Sequence, residues 1–253
     1  MTNVLEAKKV SKSYSLGKNN EQPVLKNVNL ELRAGEFVSI MGPSGCGKST
    51  LLQIISGMDK MTSGSVAIQG QEIGSLSEER LAQLRLSKMG FIFQQSGFLK
   101  NLSLLDNIIL PAYMAKAESR AAINRRASEL MKRTGIAQLA HADKSQVSGG
   151  QLQRAAICRA LINQPQLVFG DEPTGALNSK ASDEVMDILA EMNAAGTTIM
   201  LVTHDAKVAA KTQRVLFMLD GCIVGERRLG QLGQAELKER EAKLSSWLAE
   251  MGF

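Results

Sequence analysis

Gly42-Pro43-Ser44-Gly45-Cys46-Gly47-Lys48-Ser49 is the stretch that decides the fold of this chain. The octapeptide fits G-x-x-x-x-G-K-[ST], and its flanks give that pattern physical meaning: an apolar strand over Phe37–Met41 precedes it and a helix starting near Gly47 follows. Glycines let the backbone curl until successive N–H groups point inward, and the helix adds its positive N-terminal end. A loop so built cradles phosphates. Lys48 would reach the β and γ phosphates as a point charge, Ser49 would offer its hydroxyl to Mg2+, and Thr50 continues the binding segment into the helix. Cys46 reads as a small tolerated side chain. The competing explanation, a glycine-rich turn with an exposed lysine, lacks a reason for the strand and helix on either side.

Upstream, Val4–Val10 and Val28–Leu32 are β-type runs, and a small strand pair lies around Val66–Ile68. The helix after the loop runs through Leu51, Leu52 and Ile55 and stops at Gly57. A helical pattern follows over Ser77–Leu86, then a buried strand over Met89–Phe93. From about residue 103 to 163 no strand is evident, only helical segments such as Ala121–Met131 and Gln151–Ile162, so this region reads as an inserted helical subdomain. Strand, helix, strand over Leu167–Phe169, Ser179–Met192 and Thr198–Thr203, with Val215–Leu219 beyond, implies a parallel sheet. Residues 1–225 read as one α/β domain and 226–253 as a helical tail. In that tail Gln234–Met251 carries Leu237, Leu244, Leu248 and Met251 at heptad-like spacing, and packing on the parent domain is preferred to binding a partner.

Two carboxylates, Asp171 and Glu172, end the run Leu167-Val168-Phe169-Gly170, at the edge where open α/β sheets bind ligands. Before Pro173 such a pair is often a plain turn; joined to the phosphate loop it acquires roles. Asp171 would hold Mg2+ through water, and Glu172 would orient or deprotonate an attacking water.

Val147-Ser148-Gly149-Gly150-Gln151-Leu152-Gln153-Arg154 selects among phosphate-loop proteins, because it closely resembles the LSGGQ signature of ATP-binding cassette (ABC) proteins. Ser148 with Gln151 also has the form of a helix-capping box, which is compatible with that role. The order of other motifs agrees with the resemblance, which spans nearly all of residues 4–225. Tyr14 in VSKSYS looks like the adenine-stacking aromatic, Gln94 after GFIF like the Q-loop residue that contacts Mg2+ and water, and His204 in LVTHD like the switch histidine. The resemblance implies the P-loop ABC ATPase fold: a RecA-like parallel-sheet core, an antiparallel β subdomain and the helical insertion. It also implies that the signature of one copy closes over ATP held by the other, so that Ser148, Gly149, Gly150 and Gln151 act in trans within a homodimer. Two departures stand out. Gly170 occupies the last apolar position of the acidic strand, and Asn178 replaces the aspartate usual in the following loop.

Within the family, GEFVSIMG (35–42), FQQSGFLKNLSLLDNIILP (93–111), DEPTGALNSKAS (171–182) and the tail from Arg228 look most like the subfamily of macrolide exporters, lipoprotein extractors and antimicrobial-peptide resistance transporters, the last being nearest. That resemblance implies an integral-membrane permease as partner, docked near Gln94 and Phe98–Leu104, and a cytoplasmic ATPase held peripherally on the inner membrane face. Composition agrees: 44% apolar and 22% charged residues are ordinary for a soluble protein. Three spaced cysteines suit a reducing compartment, and no uncharged apolar run has bilayer-spanning length. A net charge of +5 from 30 basic and 25 acidic side chains is scattered, so no nucleic-acid partner is expected. Two alternatives stay open on the sequence: an ABC ATPase acting on DNA or ribosomes, and a non-transporting one that drives a signalling or cell-division partner.

Overall fold

The computed structural model describes residues 3–15, 17, 21–231 and 237–253. Two sheets form its frame. The first is antiparallel, in the order β2-β1-β4-β5, from β1 (Asn3–Ser15), β2 (Glu21–Arg33), β4 (Ser63–Ile68) and β5 (Gln71–Glu72). The second has the order β10-β9-β3-β8-β7-β6, from β3 (Phe37–Met41), β6 (Met89–Phe93), β7 (Leu167–Asp171), β8 (Thr198–Val202), β9 (Arg214–Leu219) and β10 (Cys222–Arg228). All neighbours in it are parallel except the edge pair β9–β10.

The second sheet is buried on both sides, so its central strands read as mostly apolar runs, with Ser39 the polar exception inside β3. Alternate residues nevertheless serve different cores. Val38, Ile40, Leu167, Phe169, Met200 and Val202 join α1 (Lys48–Ile55) and the antiparallel sheet. Phe37, Val168, Ile199 and Leu201 face the other way, toward the core shared with α3 (Leu104–Ala115), α4 (Arg120–Arg133), α5 (Gly149–Leu161) and α6 (Ser179–Ala194). The remaining helices are α2 (Glu78–Lys88), α7 (Ala206–Ala210) and α8 (Leu237–Glu250), with a 3-10 turn at Ala137–Leu139. Ser77, Ser103, Ser119, Ser148, Asn178 and Asp205 each accept a first-turn backbone N–H from the helix they precede. Such a cap contributes about 1 kcal/mol, and it marks where each helix begins.

The inserted region holds α3, α4 and α5 and no strand among its described residues. α3 carries Pro111 within it, which removes one backbone donor. At the other end of the chain, β10 runs through residue 225, so the sheet continues past the boundary expected from the sequence. Leu244 and Leu248 of α8 are buried against Met41, Ala210 and Phe217, and the Trp247 ring meets Phe217 edge-on at 6.2 Å. Gln234–Ala235–Glu236, the start of the tail helix expected from the sequence, lie outside the described residues. Arg240, only 6% exposed, donates to the carbonyls of Ala210, Thr212, Gly230 and Gln231 and so ties α8 to the domain.

Candidate functional site

Sheet topology assembles the site. Strands β3, β8, β7 and β6 lie side by side and parallel, so their C-terminal ends open onto one edge. From that edge emerge the phosphate loop after β3, His204 after β8, Asp171 and Glu172 at the end of β7, and Gln94 after β6. A cavity of about 530 Å3 there is lined by Ser44, Gly45, Gly47, Lys48, Ser49, Thr50, Glu172 and His204, with Val24 at its side.

Gly42 shows why the loop is glycine-rich. Its φ is 150°, and a Cβ on it would lie 2.0 Å from the Met218 carbonyl oxygen, so no other residue fits without moving β9. Gly47 caps α1 with no side-chain acceptor for the first-turn amides, which leaves those N–H groups for an anion. The Lys48 ammonium is buried and donates to the carbonyls of Gly42 and Pro43, each at 2.8 Å, with Cys46 Sγ at 3.8 Å. Cys46 is itself buried and its N–H donates back to the Pro43 carbonyl, closing the turn.

Ser49 Oγ donates to Asp171 Oδ1 at 2.9 Å. The two oxygens therefore stand close enough to serve one small hard cation, and Mg2+ needs only one or two protein oxygens when phosphates supply the rest. The donor set fits Mg2+ with a nucleoside triphosphate. Burial holds the Asp171 carboxyl above its ordinary pKa and neighbouring Glu172 adds to this, opposed by Ser49 and the Lys48 charge.

Glu172 has a left-handed backbone, φ 48°, a conformation that costs a non-glycine residue about 1–2 kcal/mol. Its N–H donates to the Val202 carbonyl at 3.0 Å, and its own carbonyl accepts from the Gly175 N–H at 3.1 Å. His204 Nδ1 lies 3.0 Å from Glu172 Oε1; a carboxylate only accepts, so that ring nitrogen carries the proton. Gly175, a position that no sequence pattern singles out, completes the group. A Cβ there would come within 3.0 Å of both Gln94 Nε2 and Glu172 Oε2, so the ends of those two side chains converge over it.

The two departures have local explanations. Gly170 pairs with Leu201, and a Cβ at Gly170 would sit 2.4 Å from the Leu201 side chain. Asn178 caps α6, its Oδ1 accepting from the Ala181 N–H at 2.9 Å.

Tyr14, at the end of β1, does not line the cavity but lies near Thr50, which does. Ser148, Gly149, Gly150 and Gln151 are also outside it. They open α5 as a capping box: the Gln151 N–H donates to Ser148 Oγ at 3.3 Å, and the Ser148 N–H to Gln151 Oε1 at 2.8 Å. Gly150 packs against Ala181 of α6. Ser148 itself is exposed. Phe98 and Leu104, expected at a docking surface, are instead core residues, 3% and 0% exposed, because Phe98 packs beneath Arg159 and Leu104 joins the helical core. Gln94 lines a different cleft, with Gly149 and Leu177.

The sequence profile of the ABC transporter family matches residues 25–175. This chain belongs to the ABC transporter family. It is an ATP-binding cassette ATPase, whose substrate is ATP and whose metal is Mg2+. Over 219 residues, 87% of this chain, it is 47% identical to the probable export ATP-binding/permease protein MacB of Pseudomonas entomophila, and spans 32% of that protein. The chain thus covers about a third of the length of such relatives. It is 41% identical to the uncharacterized ABC transporter ATP-binding protein YvrO of Bacillus subtilis, over 89% of this chain and 97% of that one. Among solved structures it resembles the dimeric ATP-binding cassette MJ0796 in a post-hydrolysis state with ADP and Pi, with a TM-score of 0.83 and 40% identity over 90% of this chain and all of that one.

Proposed function

We propose that this ABC ATPase works as a homodimer that sandwiches two MgATP and drives a separate membrane permease of an exporter for antimicrobial compounds. The observation that carries the dimer is the division of the site: Lys48, Ser49, Glu172 and His204 wall one cavity, while the second helix start, at Ser148, stands exposed outside it. A second copy in symmetric pairing brings its Ser148–Gln151 segment over that cavity. MJ0796, the relative of similar length, forms a dimer.

In this reading Lys48 leaves its carbonyl partners for the β and γ phosphates, and the α1 amides receive the phosphate oxygens. Ser49 and Asp171 would hold Mg2+, which when bound would supply charge neutralisation for the phosphate oxygens. Glu172, held by His204 and beside Gln94, orients a water against the γ-phosphorus and takes its proton as the bond to the ADP oxygen breaks. Glu172→Gln keeps the shape and removes the base, so MgATP should bind and trap a dimer detectable by light scattering. Hydrolysis by that variant at the wild-type rate removes Glu172 from this role, and a wild-type protein indifferent to ATP removes the whole reading.

Export is supported by the relatives named for it, and peptide antibiotics by the ALNSKAS and tail resemblance. The permease would sit in a groove of about 460 Å3 whose apolar wall includes Met58, Phe91, Leu99, Leu110, Pro111 and Met114. Met58, Leu99 and Met114 are exposed, and among the described residues no helix is long and apolar enough to cross a membrane. The ATPase would then lie on the cytoplasmic face, held there by the permease. Cross-linking from cysteine placed at Leu99 to a co-expressed permease tests the groove; cross-links only from the α8 face would refute it.

A further inference from the structure

Tyr14 is held by a set of contacts that phosphate binding does not require. Its hydroxyl donates to Asp59 Oδ2 at 2.8 Å. The same carboxylate accepts from Lys12 Nζ, 2.9 Å from each oxygen. Lys12 is 8% exposed, donates also to the Lys60 carbonyl at 2.6 Å, and places its ammonium 4.6 Å from the centroid of the Tyr14 ring. Two further bonds fasten this end of β1 to the same loop: the Ser13 N–H donates to Thr62 Oγ1 at 3.0 Å, and the Thr62 N–H to the Ser11 carbonyl at 2.8 Å. The loop is the direct continuation of α1, the helix that starts at Lys48.

A buried lysine needs a partner, and Asp59 supplies it. Nothing in that requirement explains why the ammonium should also cover an aromatic face and why the phenol should be anchored to the same acid. We propose that Lys12 and Asp59 are positioning residues that hold the Tyr14 ring as a one-sided platform for the nucleobase. The cation covers one face of the ring and Tyr14 is 37% exposed, so in this proposal a flat ligand takes the opposite face. The cation draws electron density from the ring, which suits an electron-rich purine stacked opposite. Fixing the phenol to Asp59 removes the rotamer freedom that stacking would otherwise have to freeze. Stacking tolerates any large π face, so ATP and GTP should bind alike and pyrimidine triphosphates more weakly.

The inference rests on the phosphate loop binding nucleotide, and the test separates the two. Calorimetric titration of the wild type, Lys12→Met, Lys12→Arg, Asp59→Asn, Tyr14→Phe and Tyr14→Ala with MgATP and with magnesium tripolyphosphate compares a ligand with a base and one without. A stacked base contributes about 5- to 100-fold in affinity. Lys12→Met and Asp59→Asn should lose at least about 5-fold for ATP, approach Tyr14→Ala, and bind tripolyphosphate as the wild type does. Lys12→Arg, which retains the charge and the acid pairing, should restore ATP binding. Tyr14→Phe changes a part-exposed hydroxyl only; it keeps the fold and should fall between the wild type and Tyr14→Ala. An unchanged ATP-to-tripolyphosphate ratio in Asp59→Asn, Lys12→Met and Tyr14→Phe overturns the proposal, as does equal weakening of both ligands, which would mean support of the phosphate loop instead. Wild-type protein that binds neither ligand overturns the nucleotide reading and this inference with it.

Discussion

Among the described residues two helix starts carry glycine, and they are finished in opposite ways. At α1 the N-cap is Gly47, with no side-chain acceptor for the first-turn amides, and the one charged side chain of that turn, Lys48, is folded back onto loop carbonyls. At α5 the cap is complete: Ser148 and Gln151 satisfy each other's backbone donors. An uncapped start lining a cavity leaves its amides available to an anion, whereas a capped start has its donors already satisfied. In the proposed dimer the first would bind in the single chain, and the second would act only when another copy presented it to a ligand already held.

That asymmetry predicts different failures. Lys48→Ala should weaken MgATP binding by about 100-fold, the worth of a hydrogen bond to a charged group in a partly buried site. Ser148→Arg should leave binding to the monomer within about 2-fold while hydrolysis falls by about 100- to 1,000-fold, the range for loss of a donor aimed at developing charge. Fluorescent-nucleotide titration at low protein concentration, beside phosphate release at high concentration, measures both. Equal loss of monomer binding in the two variants would erase the distinction.

Gly175 sharpens the comparison on the phosphate side. Adding a methyl group presses on Gln94 and Glu172 together, and displacements near 1 Å in such groups change rates by up to about 100-fold. Gly175→Ala should slow hydrolysis by about 10- to 100-fold and keep MgATP affinity. A wild-type turnover would show that these two side chains need no common placement.

How far the sequence disclosed this arrangement follows from the range of each interaction. β3 was legible because four of its five residues are apolar, between two glycine turns, and the phosphate loop because its chemistry is written in consecutive residues. β10, in contrast, is an edge strand with Gly225, Glu226, Arg227 and Arg228 in it, and α7 has five residues, too few for a period. α3 hides its helical pattern because it is apolar on most sides and contains Pro111. At the site, Asp171 and Glu172 took their expected roles from a strand end joined to the phosphate loop, whereas Gln94 and His204, also at strand ends, took theirs from the family resemblance. Gly175 and the Lys12–Asp59 pair could not be placed in either way, since their meaning depends on contacts between residues far apart in the chain or on a cramped space that no local pattern encodes.

Glu172 allows a smaller test of the same contrast. Its left-handed backbone is strain retained for position. Glu172→Gly should raise the urea unfolding free energy by about 1 kcal/mol while abolishing hydrolysis. Ser148→Gly, at a residue in ordinary extended geometry, should bring no such gain. A destabilised Glu172→Gly would show that its side-chain contacts outweigh the strain.

The smallest effect is electrostatic, and its sign is specific. Burial, with Glu172 beside it, raises the Asp171 carboxyl above its ordinary value despite Ser49 and Lys48. Between the ordinary carboxylate pKa and that higher folded value, the native protein binds more protons than the unfolded chain, so stability falls as pH rises through the window and the full penalty remains above it. Without nucleotide or metal, wild-type stability should therefore decline from about pH 4 toward neutrality relative to Asp171→Asn, which has no proton to lose there. Mg2+ with nucleotide should remove this pH-dependent deficit in the wild type and leave the shape of the Asp171→Asn pH profile unchanged, because only the carboxylate exchanges a buried charge for a metal partner. Parallel pH profiles for the two proteins would mean that Asp171 is not held at an electrostatic disadvantage. The phosphate side would then be as self-sufficient as the capped helix start at Ser148.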